Sequence, residues 1–138
     1  MADCSCKCSS DQTQPTDGCS CTTAPVLVFP SSGWANVGQI ANEAAVDLDR
    51  THVARIYCLA GVAAHIPGMV DSAKSASRVI AIDGCPVACA KNALEHAGVR
   101  IDQAIIVTEL GIEKKHSFIW EIEQVETVIS AVQIPQMS

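Results

Sequence analysis

From Val26 onward, short unbroken apolar runs alternate with segments whose apolar positions recur every three or four residues. Val26-Leu27-Val28-Phe29, Val53 to Leu59, Arg78-Val79-Ile80-Ala81-Ile82 and Gln103 to Thr108 are runs of strand length. They are too short for buried helices and are rich in branched side chains. Between and after them the period changes. Asn36 to Leu48 places Val37, Ile40, Ala41, Ala44, Ala45 and Leu48 on one helical face, and Glu121 to Val132 does the same with Ile122, Val125, Val128, Ile129 and Val132. Gly68 to Ser77 predicts a short helix, and Pro86 to Ala97 another, closed by Gly98. Strands that are apolar throughout and separated by helices build a parallel sheet covered on both faces. The expectation is a small three-layer α/β domain over residues 25–138. It has an open parallel sheet of about four strands with helices on both faces, of Rossmann-like or flavodoxin-like type.

Residues 1–24 break the pattern. They are polar, rich in Ser, Thr, Asp and Cys, and too poor in apolar surface to fold alone. They read as a flexible Cys-rich leader. Its thiols, Cys4, Cys6, Cys8, Cys19 and Cys21, form alternating C-x-C pairs that suit a second metal site, with a tail of uncommitted thiols as the alternative.

Composition narrows the class. With 138 residues, 49% of them hydrophobic, the chain can bury one real core. A net charge of −6 with no basic stripe argues against a nucleic-acid partner. No apolar run is long enough to span a membrane, and the first residues lack a basic segment followed by an apolar one. The chain therefore reads as cytoplasmic. In that reducing setting its eight cysteines point to metal binding or thiol chemistry rather than to a disulfide framework.

Three thiols lie in the body: Cys58, Cys85 and Cys89. Cys58 falls near the end of the second strand and Cys85 just past the third. Ser31 lies just past the first strand, and Thr108 and Glu109 end the fourth. Ligands of open α/β sheets sit beyond the carboxyl ends of the strands, so these residues converge on one edge. Pro86 is best tolerated as a first helical residue, which places Cys85 at the helix N-cap, where the helix dipole favours a thiolate. Cys89 follows one turn later. Zinc takes four tetrahedral ligands. Cys58, Cys85 and Cys89 offer three, and His65, a leader thiol or water would complete the set. An iron–sulfur cluster is the alternative cofactor, although the spacing matches no usual ferredoxin run. A different class of function uses Cys85 as nucleophile and Cys89 as resolving thiol, in redox or sulfur-transfer chemistry.

Other polar features read more plainly. Pro30 to Gly38 joins the first strand to its helix. It reads as a capping loop or as an anion cradle, without the Lys or spaced glycines of the known phosphate loops. His52 and His96 read as surface positions, His116 as part of a solvated loop, and Glu109 as a polar group at the rim of the site.

The run Asp83-Gly84-Cys85-Pro86-x-x-Cys89-Ala90-Lys91 resembles the signature of the DGC-domain proteins, small bacterial and archaeal proteins described as zinc-binding. Ser32-Gly33 with Asn36-Val37-Gly38, Tyr57-Cys58-Leu59-Ala60-Gly61, and Thr108-Glu109-Leu110-Gly111-Ile112-Glu113-Lys114 carry the likeness further, over about residues 25 to 118. The resemblance implies zinc bound by Cys58, Cys85 and Cys89. One departure stands out. Family members commonly have Cys-Ser-Gly after the first strand, whereas this chain has Ser31-Ser32-Gly33. A hydroxyl is a much poorer ligand than a thiolate for a soft metal.

Overall fold

The computed structural model describes residues 24–135. The leader thiols Cys4, Cys6, Cys8, Cys19 and Cys21 lie outside the described residues. Four strands form one parallel sheet: β1 (Val26–Pro30), β2 (Arg55–Ile56), β3 (Arg78–Asp83) and β4 (Gln103–Ile106). Their spatial order is β2-β1-β3-β4. The helices are α1 (Asn36–Arg50), α2 (Leu59–Ala63), α3 (Pro67–Lys74), α4 (Cys89–His96) and α5 (Ile122–Ala131), and a 3₁₀ turn covers Val107–Leu110.

Side chains of a strand alternate between its two faces, and here the alternation assigns them to two cores. Val28, Ile80 and Ile82 face the layer of α1 and α5, packing with Val37, Ile40, Ala44, Leu48, Val125 and Val128. Leu27, Phe29, Val79 and Ala81 face the layer of α2, α3 and α4, packing with Val62, Val70, Ala73, Ala90 and Leu94. This is the expected open parallel sheet with helices on both faces.

The direction of winding across the sheet reverses at β1 and β3, which run parallel to each other. After β1 the chain crosses over α1 to β2 on one side, then returns past β1 to β3 on the other. The carboxyl ends of β1 and β3 therefore diverge into different layers and leave a crevice between them. That is the topological switch point at which open α/β sheets bind ligands.

Three elements differ from the sequence expectation. The second strand is only Arg55–Ile56, because β1 offers it just Leu27 and Val28 as partners. The chain then turns at once into α2. The fourth strand stops at Ile106, and Thr108 and Glu109 sit in the 3₁₀ turn instead of ending a strand. The third difference concerns the helix after β3. Pro86 is not its first residue. Cys85 to Ala88 form a turn closed by Ala88 N–H donating to Cys85 O at 3.0 Å, with Pro86 at the second position that its fixed φ favours. Ala88 then takes a left-handed conformation (φ 53°), and α4 begins at Cys89. Cys85 is thus in a turn, and the N-cap position belongs to Ala88.

Candidate functional site: a thiol-lined cavity at the switch point

Ala88 has no side chain that can cap α4. The cap comes from the end of β3. Asp83, 2% exposed, accepts hydrogen bonds from Ala90 N–H (2.7 Å) and Lys91 N–H (3.0 Å), one on each carboxylate oxygen. A buried carboxylate is tolerated because both oxygens are satisfied at a helix N-terminus. Since Cys89 immediately precedes these two amides, Asp83 also sets its position.

Gly84 is required by proximity. A Cβ there would lie 2.8 Å from Gly38 N and 2.9 Å from Val37 C. Gly38 is equally confined, since a Cβ would come to 2.5 Å from Gly33 N. The loop after β1, the start of α1 and the loop after β3 are therefore in backbone contact. Ser31 ties them further: its N–H donates to Ile82 O (2.9 Å), and its Oγ accepts from Gly84 N–H (3.2 Å).

A third segment arrives from far along the chain. Asn36, 3% exposed, donates from Nδ2 to Glu113 O (2.9 Å) and accepts from Lys115 N–H on Oδ1 (2.6 Å). Its own N–H donates to Lys115 O (3.0 Å). Three bonds from one buried residue anchor both neighbours of Lys114. They deliver Lys114 Nζ to 3.5 Å from Cys85 Sγ.

These segments line a cavity of about 180 Å³ that is open to solvent. Ser31, Trp34, Asp83, Cys85, Cys89 and Lys114 are among its lining. Trp34, exposed at its rim, stacks on His116 with ring centroids 4.2 Å apart. Cys58 lies in the adjoining groove, which Ser31 and Cys89 also line. All four body positions singled out from the sequence thus reach the carboxyl edge of the sheet, with Ser31 and Cys89 common to both depressions. Cys58 and Cys89 are exposed and Cys85 half-buried, so none is a core residue.

Other expectations are placed differently. His65 lines neither depression; its Nε2 sits 2.9 Å from Nδ1 of His96, joining the end of α2 to the end of α4. Glu109 does not line the cavity. Cys58 is the N-cap of α2, its Sγ accepting from Gly61 N–H at 3.4 Å. Lys114 and Asn36 are the functional residues that residue type alone did not mark. Their signal was present only as adjacent letters in two separate motifs.

The chain matches the DGC domain over residues 27–132. This protein belongs to the DGC-domain family. The match runs through α5, beyond the stretch that the motifs alone cover. The chain is also 36% identical over 100 residues to the anaerobic and virulence modulator AnvM of Pseudomonas aeruginosa, covering 72% of this chain and 76% of that protein. No solved structure matches it. The family's three signature letters have separate physical roles here. Asp83 caps α4, Gly84 admits α1, and Cys85 presents sulfur to the cavity.

A zinc ion is the group that this family implies. The donor chemistry of Cys58, Cys85 and Cys89 is soft, as such an ion prefers. Among the described residues no three His, Cys, Asp or Glu side chains are gathered to hold a metal. At Ser31, where the resemblance implied a further thiol, the hydroxyl is engaged with Gly84 N–H. Among the described residues no helix is long and apolar enough to cross a membrane.

Proposed function

We propose that this chain is a thiol-based regulatory module of the cytoplasm, in which Cys85 and Cys89 interconvert between a dithiol and a disulfide. The observation that supports it is a single cavity lined by both residues, with an ammonium group 3.5 Å from one sulfur. The turn from Cys85 to Ala88 folds the chain back between the two cysteines.

A low-molecular-weight disulfide is the co-reactant. The Cys85 thiolate attacks one of its sulfurs, a protein–sulfur bond forms, and one small thiolate leaves. The Cys89 thiolate then attacks Cys85 Sγ, the mixed bond breaks, and the second small thiolate departs. Two electrons pass to the small disulfide, and the two protein protons end on the two released thiols. The related AnvM is named for anaerobic conditions and virulence. A thiol pair that stays reduced without oxidant suits a modulator of that kind.

The test is equilibration in glutathione mixtures of graded potential, followed by peptide mass spectrometry. A reversible Cys85–Cys89 bond forming in a single two-electron transition, without accumulated mixed disulfide, is the expected result. Persistent glutathione adducts at both sulfurs with no bond between them would refute the proposal.

A second reading is supported by the adjoining depressions. Ser31 and Cys89 line both, so Cys85 and Cys58 stand in neighbouring depressions that share Cys89. A thiophilic ion, zinc or an iron–sulfur cluster, is the ligand of this reading, and the leader thiols are its additional donors. Elemental analysis of protein purified without added metal tests it. About one zinc per chain, lost in Cys85→Ser, supports a metalloprotein. Ser31→Cys restores the family's thiol and should strengthen zinc retention severalfold. Absence of bound metal from both the natural chain and Ser31→Cys would remove this reading.

A further inference from the structure

The segment between the 3₁₀ turn and α5 presents apolar side chains that its own fold leaves uncovered. It is pinned to α1 at both ends. Asn36 holds the backbone of Lys115 at one end, and Trp120 Nε1 donates to Glu43 Oε2 at the other. Asn36 and Glu43 lie about two turns apart on the same helix, so the segment is laid along α1 and held there. Between and just beyond these anchors, Phe118, Ile119 and Ile122 are 64%, 80% and 66% exposed. Trp34, 72% exposed, stacks on His116 of this segment and joins Val87, 62% exposed, at the thiol cavity. Two aromatic and three aliphatic side chains thus offer roughly 700 Å² of exposed surface. Single exposed apolar residues are ordinary, but a connected patch above a few hundred Å² marks an interaction surface. This one approaches the ~800 Å² per partner of a stable protein interface.

The charges that flank the patch point to what covers it. In Lys114-Lys115-His116-Ser117-Phe118-Ile119-Trp120-Glu121-Ile122-Glu123 the basic side chains precede the apolar centre and the acidic ones follow it. The pattern is antisymmetric about the peptide bond between Phe118 and Ile119. Lys114 and Glu123 stand equally far from that bond, as do His116 and Glu121. A two-fold contact brings residue i of one copy to residue j of the other, and j to i. Running the segment antiparallel to its own copy therefore sets each basic end against an acidic end, while Phe118 meets Ile119. Among the described residues, neither Lys114 nor Glu123 has an ion pair within the chain. We propose that this chain forms a two-fold homodimer through Phe118, Ile119 and Ile122, with Lys114 of each copy paired to Glu123 of the other. Trp34 and Val87 extend the contact to the mouth of the thiol cavity. The dimer is independent of the chemistry assigned to Cys85 and Cys89.

Sedimentation velocity of the full-length protein, from low micromolar to several hundred micromolar, tests it. Excess reductant is present throughout, so that no cysteine cross-links the copies. The mass is expected to rise from one chain to two and to go no higher, because a two-fold contact closes on itself. Ile119→Asp replaces an exposed side chain, so the fold is retained, as circular dichroism checks, while the dissociation constant rises at least tenfold. Glu123→Lys and Lys114→Glu each place like charges at both ends of the contact and should weaken the dimer severalfold. An equimolar mixture of these two variants restores opposite charges at both ends and should associate more tightly than either variant alone. No merely structural effect of the substitutions predicts that recovery. Three results would each overturn the proposal: a single-chain mass at every concentration, which returns the patch to a foreign partner; a dimer indifferent to Ile119→Asp; and a mixture no tighter than its separate components.

Discussion

Replacing Asp83 tests whether one buried carboxylate organises this site. It is 2% exposed and holds two helix amides at 2.7 and 3.0 Å. A hydrogen bond to a charged group contributes about 1.5 kcal/mol at the low end of the measured range. Two of them make Asp83→Ala worth about 3 kcal/mol, above the ~1 kcal/mol of an ordinary exposed cap because the released N–H groups are not freely hydrated. Asp83→Asn keeps one acceptor oxygen and turns an NH₂ group toward the second amide, so about half to two-thirds of that loss is expected. For a chain of 138 residues, 3 kcal/mol lowers Tm by roughly 10 °C. Urea unfolding at neutral pH, followed by far-UV circular dichroism, gives both losses directly. Cys89 should also become faster to alkylate in both variants, since the first turn of α4 loses its anchor. Losses below about 0.5 kcal/mol in Asp83→Ala, with unchanged Cys89 reactivity, would refute the assignment of Asp83 as the cap that positions the site.

Two further outcomes are expected. Gly38→Ala puts a Cβ 2.5 Å from Gly33 N, a backbone clash with no flexible side chain to yield; it should cost about 2 kcal/mol or more and should alter Cys85 alkylation by displacing the cavity wall, and a wild-type urea midpoint would contradict the close approach. Burial opposes ionisation of Asp102, but the Val79 N–H bond, the Arg100 guanidinium and the Arg78 charge outweigh it and hold its carboxyl below the ordinary range. A carboxylate depressed in the folded state stabilises above its unfolded pKa, and that stabilisation is lost as pH falls through the folded value. Asp102→Asn should therefore lower stability by about 1 kcal/mol at neutral pH and converge with wild type at strongly acidic pH, as measured by urea midpoints across that range.

Periodicity alone determined much of this protein. Val28, Ile80 and Ile82 alternate with Leu27, Phe29, Val79 and Ala81, and burial on both faces of those strands requires a parallel sheet with two helical layers. The thiols at the strand ends were legible for the same reason, because a strand that ends at Asp83 or Pro30 delivers its next residues to the carboxyl edge. Membership of the DGC-domain family was legible in contiguous letters. What lay beyond the sequence was anything decided by contacts between distant segments.

The start of α4 is one such case. Local preference favours Pro86 as a first helical residue, but the carboxylate of Asp83 reaches the amides of Ala90 and Lys91 and moves the start to Cys89. Lys114 is another. Its place beside Cys85 depends on Asn36 holding the backbone of Glu113 and Lys115, partners 77 and 79 residues away in the chain. His65 is a third, drawn to His96 by the packing of α2 on α4 rather than to the nearby thiols. Local pattern depends on side-chain volume and polarity along a few residues, and it is written in the order of the chain. The position of a charge next to a sulfur depends on which loops the sheet brings together, and only the folded topology sets that.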